Sequence, residues 1–467
     1  MPRRRTQLGR SFLLGTICAG LLCACAAVPL PQALRTSYVP ATFEQAGAAN
    51  APIWPAPDWW RSFSSSELDT LIATTQTENL DLAAAEARVL QADARVRETG
   101  AALLPALNGG ATASQQTHGG TFGLSLGASY EFDFWGRNHD LLAASQAVSK
   151  ATRADRETVA LTATAGTADT YFQLLSLRER LAIARLNLES AQSVLTITEA
   201  RVRDGIATPL ELAQERAQIA GLQSTIPQLE QQELQTRTAL ALLLGRPPEG
   251  FDVAGTELDD LALPAVAPGL PSELLIRRPD IVAAEANLES AHANVEAARA
   301  AFFPTISLTG SGGLASAALT GLIANPTASF GIGLSIAQTI FDAGRLSAQS
   351  DEARAREQEL IAAYRSAALT AFSEVENSLG GIAHFAQQEE FQAEQAAQSE
   401  QAFNIAQARY REGVADFLSV LDAQRTLYQA RDQLGQIRLQ RLEAIVALYK
   451  ALGGGWTDPA PSTLARD

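Results

Sequence analysis

Gly120-Thr-Phe122-Gly-Leu124-Ser-Leu126-Gly-Ala128-Ser-Tyr130-Glu-Phe132-Asp-Phe134-Trp135-Gly136-Arg137 alternates apolar with small or polar residues at every second position. Successive side chains of a strand point to opposite faces, so this stretch presents one apolar and one polar surface. A strand of that kind suits a barrel wall with lipid outside and water inside. The rest of the chain reads as helical and acidic. A short membrane barrel joined to long helices points to an export duct rather than an enzyme.

The stretch belongs to one half of an internal repeat. Asn79 to Pro105 is echoed by Arg278 to Pro304 at an offset of 199, and Ala200-Arg-Val-Arg-Asp-Gly205 by Ala408-Arg-Tyr-Arg-Glu-Gly413 at 208. The nine extra residues fall between Pro304 and Gly344, and are expected in the second hairpin loop around Gly312 to Pro326. Each repeat reads helix, β-hairpin, long helix, turn, helix. The predicted strands are about 107–115 and 121–134 in the first repeat (66–260), and about 305–312 and 328–341 in the second (261–455). Pro105 and Pro304, each just before a strand, are expected to bend the chain between helix and sheet. After Gly136 and Gly344 the period changes to heptad-like, rich in Ala, Leu, Gln, Glu and Arg. From each of these glycines to Gly205 or Gly413 is 69 positions, a helix of roughly 100 Å at 1.5 Å per residue. The expected fold is therefore mainly α with a small membrane β-barrel. Four strands cannot close a barrel, and an open edge in lipid costs several kcal/mol per unsatisfied group. Oligomerisation follows as a physical requirement.

The chain starts with a basic segment (Arg3, Arg4, Arg5, Arg10) and a short apolar one (Phe12 to Leu22), which reads as a signal peptide over 1–24. Leu22-Cys23-Ala24-Cys25 resembles a lipobox, with Cys25 the acylated residue and a covalent lipid the only added group. An unmodified thiol on a flexible end is the alternative. Cys25 is the only cysteine after the signal, so no disulfide framework is possible. Residues 25–65 read as a lipid-anchored N-terminal strap, in which the Pro- and Ala-rich stretch from Ala26 to Pro57 looks extended, and 456–467 as a flexible tail. The net charge of −15 argues against a nucleic-acid partner. No run of about 20 apolar residues predicts a transmembrane helix.

Several motifs together resemble the NodT-type outer membrane efflux lipoproteins of the TolC-like outer membrane factor family. They are the lipobox, Trp59-Trp60-Arg61-Ser62-Phe63 before Glu67-Leu68, Tyr130 to Arg137, Arg277-Arg278-Pro279-Asp280-Ile281, and Gly413 to Arg425 with its Val420-Leu421-Asp422. The resemblance runs from Cys25 to about Gly455. It implies a homotrimer whose twelve-stranded barrel in the outer membrane continues as a periplasmic α-helical barrel. The implied partners are a periplasmic adaptor and an inner-membrane transporter, commonly of the RND type. The duct catalyses nothing.

The resemblance also assigns residues. Asp422 matches an acidic gate position, Ser419 stands where some members carry a second aspartate, and Asp416 is expected to add a ring nearer the tip. Tyr410 matches a position that bonds an acid on the partner helix pair, and Glu211 matches that acid. Ala415 stands where a linking arginine is found, which leaves either Arg411 or Arg203 as a substitute or no such link at all. Gly205 and Gly413 are expected to turn the helix pairs at tips that meet the adaptor, since a turn favours a residue accepting φ > 0. Tyr130 and Trp135 fit either an interfacial aromatic girdle or packing at the barrel–helix junction.

Catalytic and metal-binding readings find little support. His118, His139, His292 and His384 lack metal-ligand spacing, and no phosphate loop or nucleophile elbow occurs. Glu86 and Glu285 read as surface or inter-helix partners. Two further readings stay open beside efflux: the exit duct of an ABC-driven protein secretion system, and a structural periplasmic coiled-coil lipoprotein.

Overall fold

The computed structural model describes residues 39–45, 54–116, 119–259, 261–265 and 271–457. The signal peptide, Cys25, His118 and residues 458–467 lie outside the described residues.

Four antiparallel strands form one sheet in chain order: β1 (Ala106–Gln116), β2 (Gly119–Phe132), β3 (Thr305–Ser316) and β4 (Thr327–Ala337). The register carries the alternation across all of them. Tyr130 lies opposite Leu308, which lies opposite Leu334; one step on, Phe132, Ile306 and Ile336 align. The intervening rows are small or polar, as in Ser129, Thr309 and Gly333, or Glu131, Ser307 and Ser335. One face is therefore continuously apolar, and Phe330, Ile332, Leu334 and Ile336 on it are exposed. β1 and β4 are the free edges of the sheet.

Several strand boundaries differ from the sequence reading, most of all where the strands end. β2 ends at Phe132 and β4 at Ala337, because the next aspartates are committed to the helices that follow. Asp133 accepts from the amides of Asn138 and His139 (3.1 and 2.8 Å), and Asp342 from those of Gly344 and Leu346 (both 3.0 Å). β3 runs to Ser316, because its last residues still pair with Phe122 and Gly123 of β2.

The helices of the first repeat are α1 (Ser66–Glu78), α2 (Leu80–Gly100), α3 (Arg137–Arg203) and α4 (Pro209–Leu243). Those of the second are α5 (Pro271–Arg277), α6 (Pro279–Ala300), α7 (Leu319–Ala324), α8 (Arg345–Arg411) and α9 (Phe417–Ala451). The six-residue α7 sits in the second hairpin loop. α3 and α8 each have 67 residues, about 100 Å of helix. No described helix is long and apolar enough to cross a membrane.

Each repeat closes in the same way. The Asn79 amide donates to the carbonyl of Leu243 (2.8 Å), joining the start of α2 to the end of α4. At the equivalent place Arg278 donates to the carbonyl of Ala451 (3.2 Å), joining α6 to α9. These side chains occupy carbonyls that a helix C-terminus otherwise leaves unpaired.

The largest apolar core lies where α1, the middle of α3 and the end of α9 meet. Trp59 stacks on Tyr449 with centroids 4.9 Å apart, and the fully buried Phe63 packs on Phe172. Full burial of each such side chain contributes about 1.5–3 kcal/mol. At the end of the strap, residues Trp59–Phe63 form a 3-10 helix inside the core. Further back, Phe43 is buried, and the amides of Glu44 and Gln45 donate to the Glu376 carboxylate on α8. Trp456, the first residue of the expected tail, packs on Ala154, Val282 and Ala283.

Candidate functional site at the helix tips

α3 and α8 end in matching turns. Gly205 (φ 71°) donates to the carbonyl of Val202, and Ile206 reaches back to that of Arg201. Gly413 (φ 76°) and Val414 repeat the pattern with Tyr410 and Arg409. The positive φ is cheap only for glycine, and the two backward bonds close the helix ends. The next helices are capped at once. Thr208 accepts from the Glu211 amide, and Asp416 from the Ser419 amide (2.9 Å).

Asp416 thus serves as the N-cap of α9. Ser419 completes the cap by donating its hydroxyl to the same carboxylate oxygen (2.5 Å). These bonds from Ser419 hold the Asp416 carboxyl below the ordinary carboxylate range. Ser419, which on family resemblance replaces an acid, has a capping function of its own. Asp422 lies one turn further along α9 with its side chain exposed.

Tyr410 and Glu211 are brought together. The buried Tyr410 hydroxyl donates to a Glu211 carboxylate oxygen (3.2 Å), so the end of α8 is tied to the start of α4 within one chain. Burial raises the Tyr410 pKa, keeping the hydroxyl a donor. The arginine at this link is Arg201, which the sequence reading passed over. Its guanidinium donates to the Tyr410 carbonyl (2.5 Å) and stands 4.5 Å over the ring. Arg411 is exposed. One residue further along the helix than Tyr410, it points about 100° away. The signal for Arg201 was available in the repeat, since it is the counterpart of Arg409 beside Tyr410. Beneath this link an apolar cluster of Val194, Phe403, Phe417, Val420 and Leu421 holds the tip together.

At the other end, Trp135 stacks on Phe303 (4.7 Å) and donates its indole N–H to the Pro304 carbonyl (2.7 Å). It clasps the two hairpins where they meet the helices. Glu86 pairs with Arg156 (2.8 Å) across α2 and α3. Among the described residues no group of three or more His, Cys, Asp or Glu side chains is placed to hold a metal ion.

An open sheet with one lipid-compatible face, continued by two helices of about 100 Å with shorter helices packed along each, is the protomer of a membrane channel with an extended duct. The sequence model for the outer membrane efflux proteins matches residues 71–246 and 270–454, and the chain belongs to that family. Pyoverdine export outer membrane protein OpmQ of Pseudomonas putida is 42% identical over 458 residues, covering 94% of this chain and 97% of that protein. Cation efflux system protein CusC of Escherichia coli K12 is 33% identical over 440 residues, covering 92% and 94%. Among solved structures, the outer-membrane channel OprN superposes with a TM-score of 0.84 at 30% identity, covering 90% of this chain and 98% of that one. The open state of the Neisseria gonorrhoeae MtrE outer membrane channel gives 0.81 at 32% identity, covering 90% and 96%. The protein is an outer membrane component of efflux.

Proposed function

We propose that three copies of the chain close a twelve-stranded barrel in the outer membrane and a helical duct below it. The supporting observation is the sheet: an in-register apolar face, and two free edges running in opposite directions. β4 of one copy can pair antiparallel with β1 of the next, and a closed ring leaves no unsatisfied edge in lipid. The lumen is then lined by the small and polar rows. Acylated Cys25 anchors the chain, a periplasmic adaptor docks at the turns around Gly205 and Gly413, and an RND-type transporter supplies the energy. The duct itself is passive. Rings of Asp422 and Asp416 attract cations at the constriction. The named relatives are export and efflux proteins, which favours small-molecule efflux over protein secretion or a structural role. The identity to OpmQ favours a cargo of the pyoverdine kind beside toxic small molecules.

Purified protein in mild detergent is expected to run as a trimer and to form cation-preferring pores in planar bilayers. A monomer without pore activity overturns the reading. The gate has its own test. Tyr410→Phe removes one hydrogen bond that holds the tip closed, worth about 1 kcal/mol. Open probability in the bilayer is expected to rise about fivefold. An unchanged open probability would take the Tyr410–Glu211 link out of the gate.

A further inference from the structure

Glu215, on the same face of α4 as Glu211 and one turn beyond it, is completely buried; its carboxyl group meets the Gln424 side chain, but neither oxygen accepts a hydrogen bond of ordinary geometry. Beside it on α9 lies the Gln424 amide, also completely buried. Gln424 donates its Nε2 to the Tyr428 hydroxyl (3.0 Å), which leaves its Oε1 without a donor. Three acceptor oxygens therefore share one dry site between the two tip helices. Acceptors left unpaired in such a place are destabilising, because they have given up water without gaining a donor.

One proton on Glu215 resolves the conflict. The carboxylic acid then donates to Gln424 Oε1, and the chain Glu215–Gln424–Tyr428 runs donor to acceptor throughout. When Glu215 is ionised, the amide must turn over to donate to the carboxylate and accept from the Tyr428 hydroxyl, which leaves a buried negative charge held by a single neutral donor. We propose that Glu215, Gln424 and Tyr428 form a proton-operated latch that holds α4 to α9 when Glu215 is protonated and releases the tip when it is ionised.

The surroundings leave Glu215 free to titrate. Arg425 on α9 is the charge that favours its ionised form, but that guanidinium is engaged with Gln218 (3.0 Å). On α3, Glu199 at this level is tied to Arg216 (3.0 Å). Towards the tip, Tyr410 of α8 is tied to Glu211, and Arg431 acts on Tyr428 from further along α9. Burial therefore dominates and pushes the Glu215 carboxyl up to about 7. The closed tip binds the proton more tightly than an opened one, in which Glu215 is solvated. The latch is thus complete at low pH and is lost as pH rises from about 4.5 to about 7.

This inference rests on the channel reading for its consequence, but the latch can be measured without a pore. Hydrogen exchange of the tip segments around Gly205 and Gly413 is followed in the full-length protein in detergent and corrected for intrinsic rates. Between pH 5.5 and 7.5 protection of the tips is expected to fall on the order of tenfold. Glu215→Gln, a neutral mimic of the acid, is expected to keep low-pH protection at both values. Gln424→Met, which removes the acceptor, is expected to show the weaker high-pH protection at both. Tip protection that is flat with pH in the unmodified protein, or that falls equally in Glu215→Gln, overturns the latch. Bilayer recordings at the same two pH values separate the readings. Absence of current at both overturns the channel and leaves the exchange result standing.

Discussion

Ile332→Arg is expected to prevent insertion of the protein into the outer membrane, whereas Ser311→Lys is expected to be tolerated. Ile332 lies at the middle of β4, exposed on the face where Leu334, Ile336 and Phe330 continue the apolar band. In a membrane barrel that face meets lipid, and a charged arginine near the midplane costs about 2–4 kcal/mol per copy. Three copies carry the penalty together, and β4 is also the edge that must find β1 of a neighbour. Ser311 lies on the next strand, one row away, opposite Gly331 of β4. The shift of one row takes the charge from lipid to water, where a lysine side chain stays solvated. The check is the amount of each variant recovered as detergent-extracted trimer from outer membranes. A sheet that packs against other protein would lose stability with Ile332→Arg but gain no special tolerance for Ser311→Lys. Equal recovery of both variants would remove lipid from the apolar face.

Why the strands were legible and parts of the tips were not comes down to how each signal is encoded. The period of two is written locally in Phe122 to Phe132, and the repeat supplies the same pattern in Phe330 to Ile336. The long helices announce themselves through the spacing between Gly136 and Gly205. Strand ends were misjudged because Asp133 and Asp342 sit in the alternating pattern yet spend their carboxylates on helix amides. The stretch from Ala26 to Pro57 reads as extended because it is rich in proline and alanine, and the Trp59–Phe63 motif beside it carries no local sign of its partners. Trp59 and Phe63 find Tyr449 and Phe172, 390 and 109 residues further along the chain. At the tips, Tyr410 and Glu211 came from resemblance, but Arg201 did not. The repeat marks it as the counterpart of Arg409, but its contact with Tyr410 depends on how two helices from different repeats lie against each other. Glu215 and Gln424 are harder still. A glutamate in a polar, heptad-rich helix looks solvated until its neighbours are known.

Arg278→Ala is expected to destabilise the folded chain by about 2–3 kcal/mol. The guanidinium is largely buried, with the Arg278 side chain 10% exposed, and it gathers three partners. It pairs with Asp280 (2.7 Å) and Glu374 (2.5 Å) and donates to the carbonyl of Ala451. Removing one member of a buried ion pair typically costs 3–5 kcal/mol, because the remaining charge and carbonyl are left uncompensated. Asp280 and Glu374 are partly exposed, so water recovers some of the loss, and the lower figure follows. The repeat offers an internal control. Asn79 occupies the equivalent place in the first half and makes the corresponding bond to Leu243 without any ion pair. Arg278→Asn is therefore expected to restore part of the stability by satisfying the Ala451 carbonyl while leaving Glu374 unpaired. The order unmodified, Arg278→Asn, Arg278→Ala should appear in the unfolding temperature of the purified protein and in its steady-state level in the membrane. If Arg278→Asn proves no better than Arg278→Ala, the ion pairs carry the whole effect and the helix-end bond carries none. The position lies far along the chain from both tips, so pore properties of whatever protein assembles are expected to stay unchanged. A shift in the pH dependence of tip protection in Arg278→Ala would show that the closure of the second repeat is coupled to its gate.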